Sequence, residues 1–153
     1  MISRNAVTII AAALLAANAQ LAGAQTAPRN SVVCTYPWCY NSVIVVTDAS
    51  GAPAARTEWE EIRMQKKLAG GTVMWELLGS PDYEFRDDSV VATGANAAGA
   101  AAQFPVRLIS PTKLALDNLN NNDTTYTYDL KVYRKGSTAP PVVTRGSIVN
   151  SFN

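Results

Sequence analysis

Cys34 and Cys39 enclose Thr35-Tyr36-Pro37-Trp38 and are the only thiols in the chain. The 153 residues include no histidine, so the chemistry open to the protein narrows at once. Zinc sites with imidazole ligands, blue-copper sites and Ser-His-Asp triads are excluded. A close cysteine pair serves either as a disulfide or as a redox couple, or stays as free thiols. Redox pairs ordinarily use C-x-x-C at a helix N-terminus, where the attacking thiol's pKa is lowered. Here the spacing is longer and the surroundings have β character, so a structural disulfide is expected. A fully extended chain would hold the two Cα atoms about 17 Å apart, whereas a bridge needs about 5.5 Å. The chain must therefore turn between them, and Pro37 suits a turn.

Tyr36, Trp38 and Tyr40 flank that ring. Aromatic side chains on a constrained segment can stack on a sugar or grip a peptide. The plainer expectation is that they plug one end of the folded domain. Residues 117–123, Asp-Asn-Leu-Asn-Asn-Asn-Asp, are rich in oxygen ligands of the kind calcium takes. Counted from Asp117 as an EF-hand loop, Leu119, Asn122 and Tyr128 fall where an oxygen donor, glycine and glutamate are needed. The segment therefore reads as an Asx-turn between strands, and no metal site is expected at Asp117 or Asp123. The adjacent acids Glu60-Glu61 and Asp87-Asp88 would point to opposite faces of a strand, so neither pair is a ready catalytic dyad. Serine and threonine nucleophiles lack the usual base, and Gly70-Gly71 lacks the spacing and lysine of a phosphate loop. No cofactor is implied.

The segments that carry these residues begin after an export signal. Arg4 supplies a positive start, residues 7–17 an apolar run, and Ala22-Gly23-Ala24 a small-x-small cleavage site. The run is well short of the ~20 residues that span a bilayer, so residues 1–24 are expected to be removed and membrane insertion is not expected afterwards. Residues 25–153 then form one domain by length, secreted or periplasmic. Thirteen basic residues against twelve acidic ones leave no electrostatic footprint for nucleic acid.

Within that domain, apolar residues recur with period two. Tyr126, Tyr128, Leu130 and Val132 alternate with Thr125, Thr127, Asp129 and Lys131, as in a half-buried antiparallel strand. Val73, Trp75 and Leu77 form a second such set, followed by the turn Gly79-Ser80-Pro81-Asp82. Val43-Ile44-Val45-Val46 reads as a strand buried on both faces. Phe104, Val106 and Leu108 share one face of another strand. Residues 57–68 carry local helix signals, with Thr57 and Glu60 fitting a capping box. The strand alternative, with Ile62 and Met64 inward, is preferred because tertiary pairing can override propensity. Residues 92–102, alanine- and glycine-rich, are expected to be a long loop, with a short helical turn as the alternative.

The pattern predicts an all-β fold, an antiparallel sandwich of about seven strands. Trp59 with Ile62 and Met64, Trp75-Glu76-Leu77, Tyr83-Glu84-Phe85, Asp88-Ser89-Val90, the Tyr126–Leu130 alternation and Ile148-Val149-Asn150 follow one another in an order that resembles small secreted proteobacterial β-sandwich proteins of the immunoglobulin-like kind. The resemblance covers residues 43–150. It implies the fold and the compartment; those proteins mostly lack an assigned function. Antibody-type domains join their sheets through widely spaced cysteines around a core tryptophan. Cys34 and Cys39 are close and both precede Trp75, so an intersheet disulfide is not expected, and Trp75 should pack on aliphatic residues.

The function expected is non-catalytic binding of a protein, peptide or glycan. The first alternative is a fimbrial or surface-assembly subunit polymerising through a sheet edge, with residues 147–152 as a donated or paired strand. A small hydrolase is the second alternative.

Overall fold

The computed structural model describes residues 30–65 and 70–150. The expected signal, residues 1–24, lies outside the described residues. Eleven strands and one short helix follow in order: β1 (Ser31–Cys34), β2 (Trp38–Thr47), β3 (Pro53–Thr57), β4 (Glu61–Met64), β5 (Gly71–Leu77), β6 (Tyr83–Glu84), β7 (Val90–Thr93), α1 (Ala97–Gln103), β8 (Val106–Ser110), β9 (Lys113–Asn118), β10 (Thr125–Arg134) and β11 (Val142–Asn150). They form two sheets. One has the order β1-β4-β11-β10, with β6 and β7 pairing along the far side of β10; the other runs β3-β2-β5-β9-β8. The all-β sandwich is therefore observed.

Two expectations about it need correction. Among the described residues the strands number eleven rather than about seven, because several are short and Pro111-Thr112 divides one stretch into β8 and β9. The sheets are mixed rather than antiparallel: β1 with β4, β4 with β11, and β2 with β5 pair in parallel. The cause lies in the path of the chain. It changes sheet between β1 and β2, between β3 and β4, and again between β4 and β5. A strand that returns to its sheet after a visit to the other arrives by crossover, the connection parallel pairing requires. Antiparallel hairpins survive where neighbours in sequence stay in one sheet, as in β2–β3, β8–β9 and β10–β11.

Residues 61–64 are strand, not helix, with Ile62 and Met64 fully buried and Arg63 exposed. Membership of a sheet decides this: β4 is paired on both sides, by β1 and β11, which satisfies more backbone than a lone helical turn would. Residues 66–68 of the segment lie outside the described residues. Residues 97–103 form α1 instead of a loop, in keeping with alanine's high helix propensity. Within β2, Val43 is buried but Ile44 is 40% exposed, so the strand is covered on one face only.

The core sits between the sheets. Val43, Val73, Trp75, Leu114 and Leu116 meet Ile62, Met64, Tyr126, Tyr128, Leu130, Val132 and Ile148. Trp75 packs edge-on against the Tyr128 ring at 5.3 Å, so its neighbour across the core is aromatic, not only aliphatic as expected. Burial pushes the Tyr128 hydroxyl's pKa well up. That hydroxyl lies against Gly146 of the adjacent β11. A β-carbon at 146 would run into it, with Tyr128 Cζ at 2.6 Å and the Glu60 carbonyl oxygen at 3.0 Å. Gly146→Ala is accordingly expected to cost about 1–3 kcal/mol by overpacking. A lowered urea midpoint at unchanged m-value is the measurement that checks it.

Buried amides hold the ends of the sandwich. Asn41 donates from Nδ2 to the Trp59 carbonyl at 2.8 Å and accepts from the Trp59 N–H at 3.0 Å, which pins the β3–β4 crossover to β2. Asn118 of β9 and Asn150 of β11 exchange hydrogen bonds at 2.7 and 3.2 Å across the two sheets. Such groups are tolerated in a core because each is paired.

Candidate binding site

Cys34 and Cys39 are bonded, with Cα atoms 5.6 Å apart. The expected disulfide is present, but its place corrects the expectation about the sheets. Cys34 ends β1 in one sheet and Cys39 lies near the start of β2 in the other. The bridge therefore does join the two sheets. It does so through a short corner, not across the middle of the sandwich, and both sulfurs belong to the core cluster. The turn is further fixed by the Pro37 carbonyl, which accepts from the Thr72 N–H at 2.7 Å.

Strand alternation beyond this corner sets the direction of each aromatic. Cys39, Asn41 and Val43 point inward and are buried. Trp38 and Tyr40 must then point outward, as successive side chains on a strand do. Tyr36, Trp38 and Tyr40 are 67%, 54% and 57% exposed, so they do not plug the end of the sandwich. The Tyr36 and Trp38 rings lie nearly parallel, 19° apart in plane, with centroids separated by 6.4 Å. The disulfide explains why they stay outside. It takes up the interior position at this corner, and the residues between the cysteines are left in the solvent-facing bend.

Polar groups share this face. Trp38 is level with Thr72 on β5, and Thr72 with Asp117 on β9. Tyr40 is level with Met74, Ala115 and then Arg107 on β8. Arg107 donates from Nε and Nη2 to the two oxygens of Asp117 at 2.7 and 2.9 Å, and Thr72 Oγ1 donates to Asp117 Oδ1 at 2.9 Å. The Arg107 hydrogen bonds hold the Asp117 carboxyl below the ordinary carboxylate range, and Asp117 raises the Arg107 guanidinium in turn. Lys113 and Glu76 form an ion pair at 3.1 Å further along the same face. Two strand spacings separate the rings from Asp117, about 10 Å. The result is a flat sheet surface with aromatic rings at one end and paired, oriented polar groups at the other.

The remaining candidates resolve differently. Asp117 and Asn118 belong to β9, not to a loop, and Asp117 is taken by Arg107. The turn beyond is of the expected Asx kind: the Asn120 N–H donates to Asn118 Oδ1 at 2.8 Å, with φ of 48° at Asn120. Of the acid pairs, Glu61 bonds Arg63 at 2.6 Å, and Asp88 accepts from the Tyr133 hydroxyl at 2.5 Å and from Lys131. Burial and that carboxylate push Tyr133 up to about 12. The carboxyl-terminal segment is not a free strand over 142–150: β11 is paired on both sides, by β10 and β4. Residues 151–153 lie outside the described residues. Sequence inspection missed Thr72, Asp117 and Arg107 as companions of the aromatics, since only the register of four strands brings them to one face. No protein-family model matches the chain, and no curated protein matches it either.

Proposed function

We propose that the protein is an exported, non-catalytic binding module that takes a neutral saccharide on the outer face of the β3-β2-β5-β9-β8 sheet. The observation that carries this is the display of Tyr36, Trp38 and Tyr40, each more than half exposed, on a corner made rigid by a disulfide. Single exposed rings are ordinary, but several grouped on one surface mark an interaction site. A sugar ring offers a flat face of C–H bonds to an aromatic plane, and hydroxyls around its rim to donors and acceptors. Asp117, Arg107 and Thr72 supply both kinds. The charges beside the rings are paired, Arg107 with Asp117 and Lys113 with Glu76, which favours an uncharged ligand over an ionic one.

The absence of histidine, the bonded cysteines and the engagement of Glu61 and Asp88, one acid of each adjacent pair, support a non-catalytic role. The disulfide supports an oxidising compartment, secreted or periplasmic. Among the described residues no helix is long and apolar enough to cross a membrane. Two packed sheets around a buried Trp75 support the immunoglobulin-like kinship, while the corner disulfide and the parallel pairing of β2 with β5 depart from antibody-type domains.

An array that presents neutral glycans and unstructured peptides side by side tests the reading. Signal on a group of related glycans is expected. Signal on peptides alone would replace the saccharide with a peptide at the same face, and signal on neither would remove the binding role assigned to it.

A further inference from the structure

We propose a second binding site, for a small uncharged apolar molecule, in the cavity of about 450 Å³ beneath α1. It is independent of the aromatic face. The volume falls in the roughly 300–1,000 Å³ range of ligand pockets, and the pocket is partly open to solvent. Val90 and Ala92 of β7, Ala100 of α1, Phe104, Leu116 of β9 and Ile148 of β11 form much of its wall. No Asp, Glu, Lys or Arg lines it. The hydroxyls of the lining residues are engaged or turned elsewhere. Tyr126 accepts from Asn122 Nδ2 at 2.9 Å, Thr127 donates to the Thr93 carbonyl at 2.7 Å, and Tyr128 turns toward Gly146. A ligand here would be held by apolar contact, with no partner for a charge.

The sequence builds this space deliberately enough to be read. A helix free to settle onto the sheets would close much of the space beneath it, because lining atoms lose contacts across a gap. Here α1 is fixed at both ends. Asn96 Nδ2, just before the helix, donates to the Thr125 carbonyl at 2.8 Å. At the other end Gln103 Nε2 donates to Asn118 Oδ1 at 3.0 Å, within the buried amide group that also includes Asn150. Between these anchors the helix carries only alanine and glycine, Ala97 to Ala102. The anchors hold the helix over the sheets, and its short side chains cannot fill what lies beneath.

Titration of the intact mature protein with the neutral fluorophore N-phenyl-1-naphthylamine tests this. Saturable one-to-one binding is expected, displaced by 1-decanol more effectively than by decanoate. Ala100→Phe and Ala92→Leu, which place bulk in the cavity, are each expected to weaken binding at least tenfold without lowering the melting temperature. Methyl NMR of the wild type locates the probe without any variant, with shifts expected at Val90, Val106 and Ile148. Non-saturable binding, equal displacement by decanoate, or probe shifts confined to the Trp38 and Tyr40 surface would overturn the proposal. So would undiminished affinity in the two filled variants, provided their circular dichroism matches the wild type.

Discussion

A Trp75→Ala protein is expected to lose about 3–5 kcal/mol of stability. The reason is position as much as size. Trp75 is fully buried on β5, the middle strand of its sheet, and faces Tyr128 of the opposite sheet at 5.3 Å. Its removal leaves a cavity bounded by paired strands on both sides, which have little freedom to collapse inward. Domains of this length are ordinarily stable by only about 5–15 kcal/mol, so the loss would be a large share of the total. The check is urea denaturation followed by circular dichroism. A midpoint and m-value equal to those of the wild type would contradict the placement of Trp75 between the sheets.

The second large effect is expected at the corner. Opening a ring as small as that closed by Cys34 and Cys39 removes loop-closure stabilisation of about 2 kcal/mol. The loss is felt twice, because the same bond joins β1 to β2 across the two sheets and holds the bend that displays Tyr36 and Trp38. A Cys34→Ala, Cys39→Ala double variant should unfold at a lower urea midpoint, and the wild type should match it only when reductant is present. Equal midpoints with and without reductant would show that the bond stabilises nothing. Complete alkylation of both thiols in unreduced, folded protein would show that it does not form.

How far the sequence speaks for itself differs from element to element. The β10 strand is legible residue by residue, since Tyr126, Tyr128, Leu130 and Val132 are all buried and the intervening residues are not. The β4 strand is legible only as an ambiguity. Ile62 and Met64 suit a strand and the capping residues suit a helix, and pairing with β1 and β11 decides between them. Sheet membership is not legible at all. Spacing places Cys34 near Cys39 but cannot say that a corner between two sheets lies between them, and so an intersheet bridge is wrongly excluded. For the same reason Arg107, Asp117 and Thr72 look unrelated in the sequence, although hydrogen bonds join them in the fold. The Asn-rich segment shows the converse case. Its composition suggests calcium, its spacing rejects an EF-hand, and a local Asx-turn accounts for it.

Binding of a neutral saccharide to the aromatic face is tested by calorimetric titration with a panel of soluble neutral oligosaccharides. Wild type, Trp38→Ala and Arg107→Ala are compared against the oligosaccharide that binds most tightly. Trp38 is more than half exposed, so its replacement should leave the unfolding midpoint nearly unchanged. At least tenfold weaker binding is expected of Trp38→Ala, equivalent to about 1.4 kcal/mol, and a smaller but measurable weakening of Arg107→Ala. Equal affinity of wild type and Trp38→Ala, or no binding by the wild type to any member of the panel, would contradict it.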